Sequence, residues 1–193
     1  SAAAHWNVDR RSALLIPNVH MQGERNSDAT WHSGYLPLLC SLARQLADLG
    51  FVPRILNHEG EADAALCESL RAATGGAEVI TETDPRALKG IIGAAGLVVC
   101  SRYHGCVSAL AQGVPCLATS WSHKYAALFD EFGVAEYLLN TCDETAATIA
   151  LQRLASDRDS VSKLLSSRRA ALETRIEAMW SRVLAIVGAN PAR

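Results

Sequence analysis

An arginine and a histidine stand two residues apart in Ser101-Arg102-Tyr103-His104-Gly105, just after a short apolar run and just before a helical one. Arginine offers a planar fork of donors to a phosphate or carboxylate. Histidine offers a proton near neutral pH. Together on one turn they form an anion site with an acid beside it. Gly105 is expected to let the backbone come close to whatever is bound there.

The surrounding elements explain why such a turn could be a site. Residues 97–100, Leu-Val-Val-Cys, read as a parallel strand buried on both faces. Residues 107–112 have helical character, Gly113 is the expected helix stop, and 114–119 read as the next buried strand. The Arg-x-His pair therefore falls where a strand ends and a helix starts. In open α/β sheets that edge binds ligands, because helix N-termini present free N–H groups there.

The same alternation runs through the chain. Strands are expected at 13–17, 51–56, 78–81 and 136–139. Helices are expected at 32–49, at 61–73, from the Asp84-Pro85 cap to 95, and at 124–131 with Ser120 or Ser122 as cap. Pro37 suits a first turn, so the regular part of the 32–49 helix is expected to begin near it. From Asp143 the pattern is helical to the end, with Leu164, Leu165, Ala171, Leu172, Ile176, Met179, Val183 and Ile186 as its apolar set. This order predicts a Rossmann-like α/β fold: a parallel sheet of about six strands with helices on both faces. Residues 13–193 read as a single domain ending in a long helix, and 1–12 as an interdomain linker or cloning remnant.

Parallel strands bring the stretches that follow them to one edge. There they would gather Asn18, His20 and Arg25, then His58 and Glu59, then Thr81 and Thr83. Ser101, Arg102 and His104 join them, as do Ser120, Ser122, His123 and Lys124. Four of the six histidines lie on this edge, together with Arg102 and Lys124, and that favours a site over an ordinary polar loop face. His58, Glu59 and Asp63 lack convincing metal-ligand spacing, and an acidic cap at a helix start explains them more simply. Walker, dinucleotide and nucleophile-elbow motifs are missing, and no cofactor is called for.

Composition narrows the partners. With 49% hydrophobic and 20% charged residues over 193 positions, the chain is an ordinary globular domain. A formal charge of −2 gives no overall attraction to nucleic acid or an anionic membrane. No run suggests a membrane span or signal peptide, and a cytoplasmic location is expected, with the inner membrane face as one possible place of work. The six cysteines include no C-x-x-C pair and read as reduced, buried thiols. Cys106 lies at a helix start, where a thiol can be activated, but a small packing side chain is the simpler reading.

Four strings carry a family resemblance: Ser-Arg-Tyr-His-Gly at 101–105, Ser-Ala-Leu-Ala-Gln-Gly-Val-Pro at 108–115, Ser-Trp-Ser-His-Lys-Tyr at 120–125, and Phe-Gly-Val-Ala-Glu-Tyr-Leu at 132–138. They resemble the polysaccharide pyruvyl transferases over about residues 13–139. The resemblance implies one half of a GT-B-like fold, preceded by an N-terminal domain, with the last helix packing back toward that domain. It implies phosphoenolpyruvate as donor and a saccharide or lipid-linked glycan as acceptor, joined as a ketal. Arg102 would then bind the donor's carboxylate or phosphate, His104 would act as general acid, and Lys124 would be a supporting cation. Ser101, Gly105, Asn18, His20, Arg25, His58, Ser120 and His123 would line the substrate site. Many relatives carry an arginine just after the first strand, where this chain reads Pro17-Asn18-Val19-His20 and the nearest arginine is Arg25. The alternatives are a nucleotide-sugar-binding GT-B half, for which 120–123 offers no acidic residue, and a non-catalytic domain of the same fold.

Overall fold

Short apolar runs make short strands. The computed structural model describes residues 1–24 and 26–188. Its strands are β1 Ser12–Ile16, β2 Val52–Leu56, β3 Val79–Ile80, β4 Leu97–Cys100, β5 Cys116–Thr119 and β6 Leu138–Leu139. All pair in parallel, in the order β3-β2-β1-β4-β5-β6. Every residue of β1, β4 and β5 is buried, as central strands covered on both faces must be.

Eight α-helices accompany them among the described residues: α1 Ala2–His5, α2 Thr30–Asp48, α3 Glu61–Ala73, α4 Pro85–Ala94, α5 Tyr103–Ala111, α6 Lys124–Phe132, α7 Glu144–Ser156 and α8 Arg158–Gly188. α2 packs with α3 and α7, while α4 packs with α1 and α5, giving one helical layer on each side of the sheet. The chain leaves β1 toward β2 and β3, then returns beside β1 as β4. Strand order thus reverses between β1 and β4, the switch point where such sheets open a crevice. Ile16 is level with Cys100, so Asn18 and Arg102 emerge side by side.

The Rossmann-like architecture matches expectation, and three local features correct it. Pro37 lies inside α2, which is regular from Thr30. The missing N–H and the clash with the preceding turn cost about 3 kcal/mol. Extending the helix backward buries Trp31 and Tyr35, each at most 1% exposed. Burial of a large apolar side chain is worth about 1.5–3 kcal/mol, so two outweigh the proline. Neither Ser120 nor Ser122 caps α6: its N-cap position is His123, which makes no side-chain cap bond. The helical tract after Asp143 is two helices, broken at Asp157. Val161 and Leu165 of α8 are buried, whereas Ile176, Met179, Val183 and Ile186 of its expected apolar set are exposed.

Other stops are where the residue types put them. Asp84 caps α4 through the N–H groups of Arg86 and Ala87, at 2.7 and 2.9 Å. Gly113 follows α5 with φ +72°, a left-handed turn that glycine adopts without a Cβ penalty. The segment before β1 forms α1, rests on α4 and buries Val8.

Candidate functional site

The switch point is braced by hydroxyls and amides before it offers anything to a ligand. Tyr35 on α2 donates from its phenol to Ser101 Oγ at 2.5 Å and accepts from the Asn18 N–H at 3.1 Å. Thr119 Oγ1 donates to Ser101 Oγ at 2.7 Å. The Ser101 carbonyl accepts from Asn18 Nδ2 and from the Tyr125 phenol, both at 2.9 Å. Burial raises both phenols above the usual tyrosine value, so they stay protonated and keep donating. Ser101 is wholly buried, so it fastens β1, β4 and β5 together from behind the site.

In front of that brace lies Arg102. Its Nε donates to Asp63 Oδ2 at 2.8 Å and its Nη2 to Asp63 Oδ1 at 2.5 Å. Asp63 comes from the first turn of α3 and is fully buried, and its Oδ1 also accepts from the Val19 N–H at 3.0 Å. Arg102 is therefore a paired cation, with one edge of its fork committed inside the protein. Charge-assisted bidentate bonds of this kind are the strong ones.

Arg102 lines a cleft of about 220 Å³ with Asn18, His20, Glu59, Tyr103, His104, Trp121, Lys124 and Tyr125. Tyr103 organises its far wall. Its ring meets the rings of His104 and Tyr125 edge-on, at 5.7 and 5.4 Å, and carries the Lys124 ammonium 4.7 Å from its centroid. That is a cation–π contact, which fixes a lysine beside the histidine. His20 meets Trp121 edge-on at 5.6 Å, closing the opposite side. His104 is exposed at the second position of α5, where it can reach a bound molecule. The opening therefore holds two cations, two histidines and one carboxylate. A roomier hollow of about 360 Å³, lined by Arg10, Gly96, Arg158 and Lys163, lies at the other end of the strands. It has no histidine in its lining, whereas the smaller cleft brings histidines and cations together, so the smaller cleft is the candidate site.

The remaining expected site residues do not meet in the cleft. Gly105 is buried, and a Cβ built on it would come 2.7 Å from Cys100 Sγ. It lets α5 pack on β4 rather than admitting a ligand. Gly105→Ala is expected to destabilise the domain by about 1–3 kcal/mol through overpacking, reduced by up to about 1 kcal/mol of helix propensity. Chemical unfolding of the two proteins measures it, and equal stability would show that Cys100 moves aside freely. Ser120 Oγ donates to the Ser122 carbonyl at 2.8 Å, and His123 is exposed outside the cleft lining. Thr81 and Thr83 are exposed after β3, also outside the lining. Arg25 lies outside the described residues.

His58 sits at the margin, with Nδ1 3.6 Å from Glu59 Oε1. Burial lowers its pKa; the Glu59 carboxylate opposes this and the Arg102 charge assists it. The unfolded imidazole takes a proton near 6.5 that the folded one resists, so the unfolded state binds more protons. This contribution to stability is complete above 6.5 and is lost as pH falls below it. The drop in melting temperature between about pH 7.5 and about pH 5 is therefore expected to be smaller in His58→Gln than in wild type. An equal drop would remove His58 as a cause.

All six cysteines are free thiols. Cys106 is fully buried and its thiol is pushed well above its ordinary value by desolvation, which makes it a packing residue and not a nucleophile. Among the described residues no group of three His, Cys, Asp or Glu side chains could hold a metal ion. No described helix is long and apolar enough to cross a membrane.

Sequence reasoning missed Asp63 as the partner of Arg102, and Trp121, Tyr103 and Tyr125 as cleft walls. A signal for Asp63 was present. It shares the buried face of α3 with Leu66, Cys67 and Leu70, at helical spacing. A carboxylate on an apolar stripe needs a cation.

Fold and site together define a Rossmann-like domain with a cleft at its switch point lined by Arg102, Lys124 and two histidines. The glycosyltransferase WaaG, involved in lipopolysaccharide biosynthesis, shares that fold: the match has a TM-score of 0.53 at 13% identity, covering 90% of this chain and 46% of WaaG. The chain thus spans less than half the length of that protein. No curated protein matches it. The polysaccharide pyruvyl transferase family model matches residues 17–123, more than half of the chain and all of the switch-point cleft up to His123. The chain belongs to the polysaccharide pyruvyl transferase family.

Proposed function

We propose that this domain binds phosphoenolpyruvate in the switch-point cleft and transfers its pyruvyl unit to hydroxyls of a saccharide or lipid-linked glycan. The observation that carries the reading is the convergence of Arg102, Lys124 and His104 on one small opening. Phosphoenolpyruvate is a compact anion with a carboxylate and a phosphate, so it needs two cationic contacts and a proton donor. The free edge of the Arg102 fork takes one anionic group and the Lys124 ammonium the other.

His104 gives its proton to the methylene carbon, which becomes a methyl group and leaves positive charge shared between C2 and its oxygen. A sugar hydroxyl adds to C2 and loses its proton, which restores His104. The C2–O bond to phosphate then breaks and inorganic phosphate departs. A second hydroxyl adds to C2 and loses its proton to the phosphate, closing the ketal. A second domain is proposed to present the acceptor at the open side of the cleft.

Calorimetric titration with phosphoenolpyruvate, with a uridine diphosphate sugar as comparison, tests the donor. Binding of phosphoenolpyruvate alone supports the reading. Binding of only the nucleotide sugar overturns it in favour of glycosyl transfer, the activity named for WaaG.

A further inference from the structure

We propose that Asp63 is a positioning residue for the donor: it clamps the side-on edge of the Arg102 guanidinium so that the end-on edge meets the anion. The inference rests on reading the cleft as a phosphoenolpyruvate site. Asp63 is wholly buried on the apolar face of α3, where a carboxylate is expensive to desolvate. Replacing a buried ion pair with apolar side chains is often neutral or stabilising, so stability alone is a weak reason for one here. Its position supplies a better reason.

The carboxylate accepts from Arg102 Nε at 2.8 Å, from Arg102 Nη2 at 2.5 Å and from the Val19 N–H at 3.0 Å. It thereby ties α3 to the turn after β1 and to the residue that starts α5. An unrestrained arginine stem samples many rotamers, whereas this pairing fixes the plane of the guanidinium. With Nε and Nη2 held, Nη1 and the outer hydrogen of Nη2 form a second fork on the cleft side. That fork fits a carboxylate or phosphate edge. A lysine at this position could not serve both partners, because its ammonium is a point charge.

Asp63→Asn keeps the shape of the side chain, removes its charge and places an NH₂ against the guanidinium. In the full-length protein, it is expected to weaken phosphoenolpyruvate binding by roughly 10-fold to 100-fold, the scale of a misplaced binding group. The Arg102 Nε–H proton is expected to be protected from exchange in wild type by its bond to Asp63. In Asp63→Asn it is expected to exchange as an exposed guanidinium does, as followed by ¹⁵N NMR. Asp63→Glu retains the charge but displaces the fork, and is expected to weaken binding as well. It also serves if Asp63→Asn does not fold. Arg102→Gln should weaken binding, and adding Asp63→Asn to it should weaken it no further, because Asp63 acts through Arg102.

A folded Asp63→Asn protein that binds phosphoenolpyruvate like wild type overturns the proposal. So does an Asp63 effect that persists undiminished beside Arg102→Gln. Failure of the donor reading looks different. Wild type then does not bind phosphoenolpyruvate, while binding of inorganic phosphate still follows the Asp63 and Arg102 pattern.

Discussion

Arg102→Ala is expected to cost the domain about 3–5 kcal/mol of folding stability, the usual price of stranding one member of a buried ion pair. Asp63 is fully buried and the Arg102 side chain is 12% exposed, so the pair lies largely out of bulk water. Among the described residues, the Val19 N–H would remain as the carboxylate's hydrogen-bond donor. An arginine that merely met a ligand at the surface would show a different result: no loss of stability, and about 1.5–3 kcal/mol of binding. Domains of this size hold about 5–15 kcal/mol in all, so the alanine variant should populate unfolded protein readily. Urea unfolding measures the loss. Replacing both partners, Arg102→Met with Asp63→Leu, should restore much of the stability while leaving donor binding absent. A loss below about 1 kcal/mol in Arg102→Ala would mean that solvent screens the pair as it does at a surface.

The order of strands and helices was legible because each buried strand is a continuous apolar run and each crossover helix carries helical spacing. Leu97–Cys100 and Glu61–Ala73 are instances where run and period agree with the structure. Pro37 was misread because a local rule favours a helix start, while Trp31 and Tyr35 gain their burial from contacts far away in the chain. The end of α8 is the helix that its apolar spacing predicts. Its apolar spacing is regular, but spacing alone does not say whether a face is covered, and Ile176, Met179 and Val183 are exposed.

The site divides in the same way. His104, Arg102 and Lys124 share one strand-to-helix edge with their neighbours and can be read from that placement. Asp63 lies 39 positions before Arg102, so no local pattern pairs them. Ser101 looks like a ligand-binding serine on its turn. Its burial depends on Tyr35, Thr119 and Tyr125, which arrive from three other places in the chain.

His104→Gln is expected to lower pyruvyl transfer by about 10²–10⁴-fold, the contribution of a positioned general acid or base. Glutamine keeps a polar group of similar reach but has no proton to deliver at neutral pH. The exposure of His104 means that its removal leaves no buried partner stranded, and its main described contact is the edge of the Tyr103 ring. Edge-on ring contacts are worth about 0.5–1.5 kcal/mol, so any loss of stability should be small beside the loss of turnover. Arg102 and Lys124 stay in place, so affinity for phosphoenolpyruvate should remain within a few-fold of wild type. Three measurements on one preparation separate the possibilities: melting temperature, calorimetric affinity for phosphoenolpyruvate, and phosphate release in the presence of a saccharide acceptor. Arg102→Ala moves the first and second together, whereas His104→Gln should move only the third. A stable His104→Gln protein that binds phosphoenolpyruvate and releases phosphate at the wild-type rate would deny His104 the role of acid. The proton for the methylene carbon would then have to come from another donor lining the cleft, His20 or Lys124.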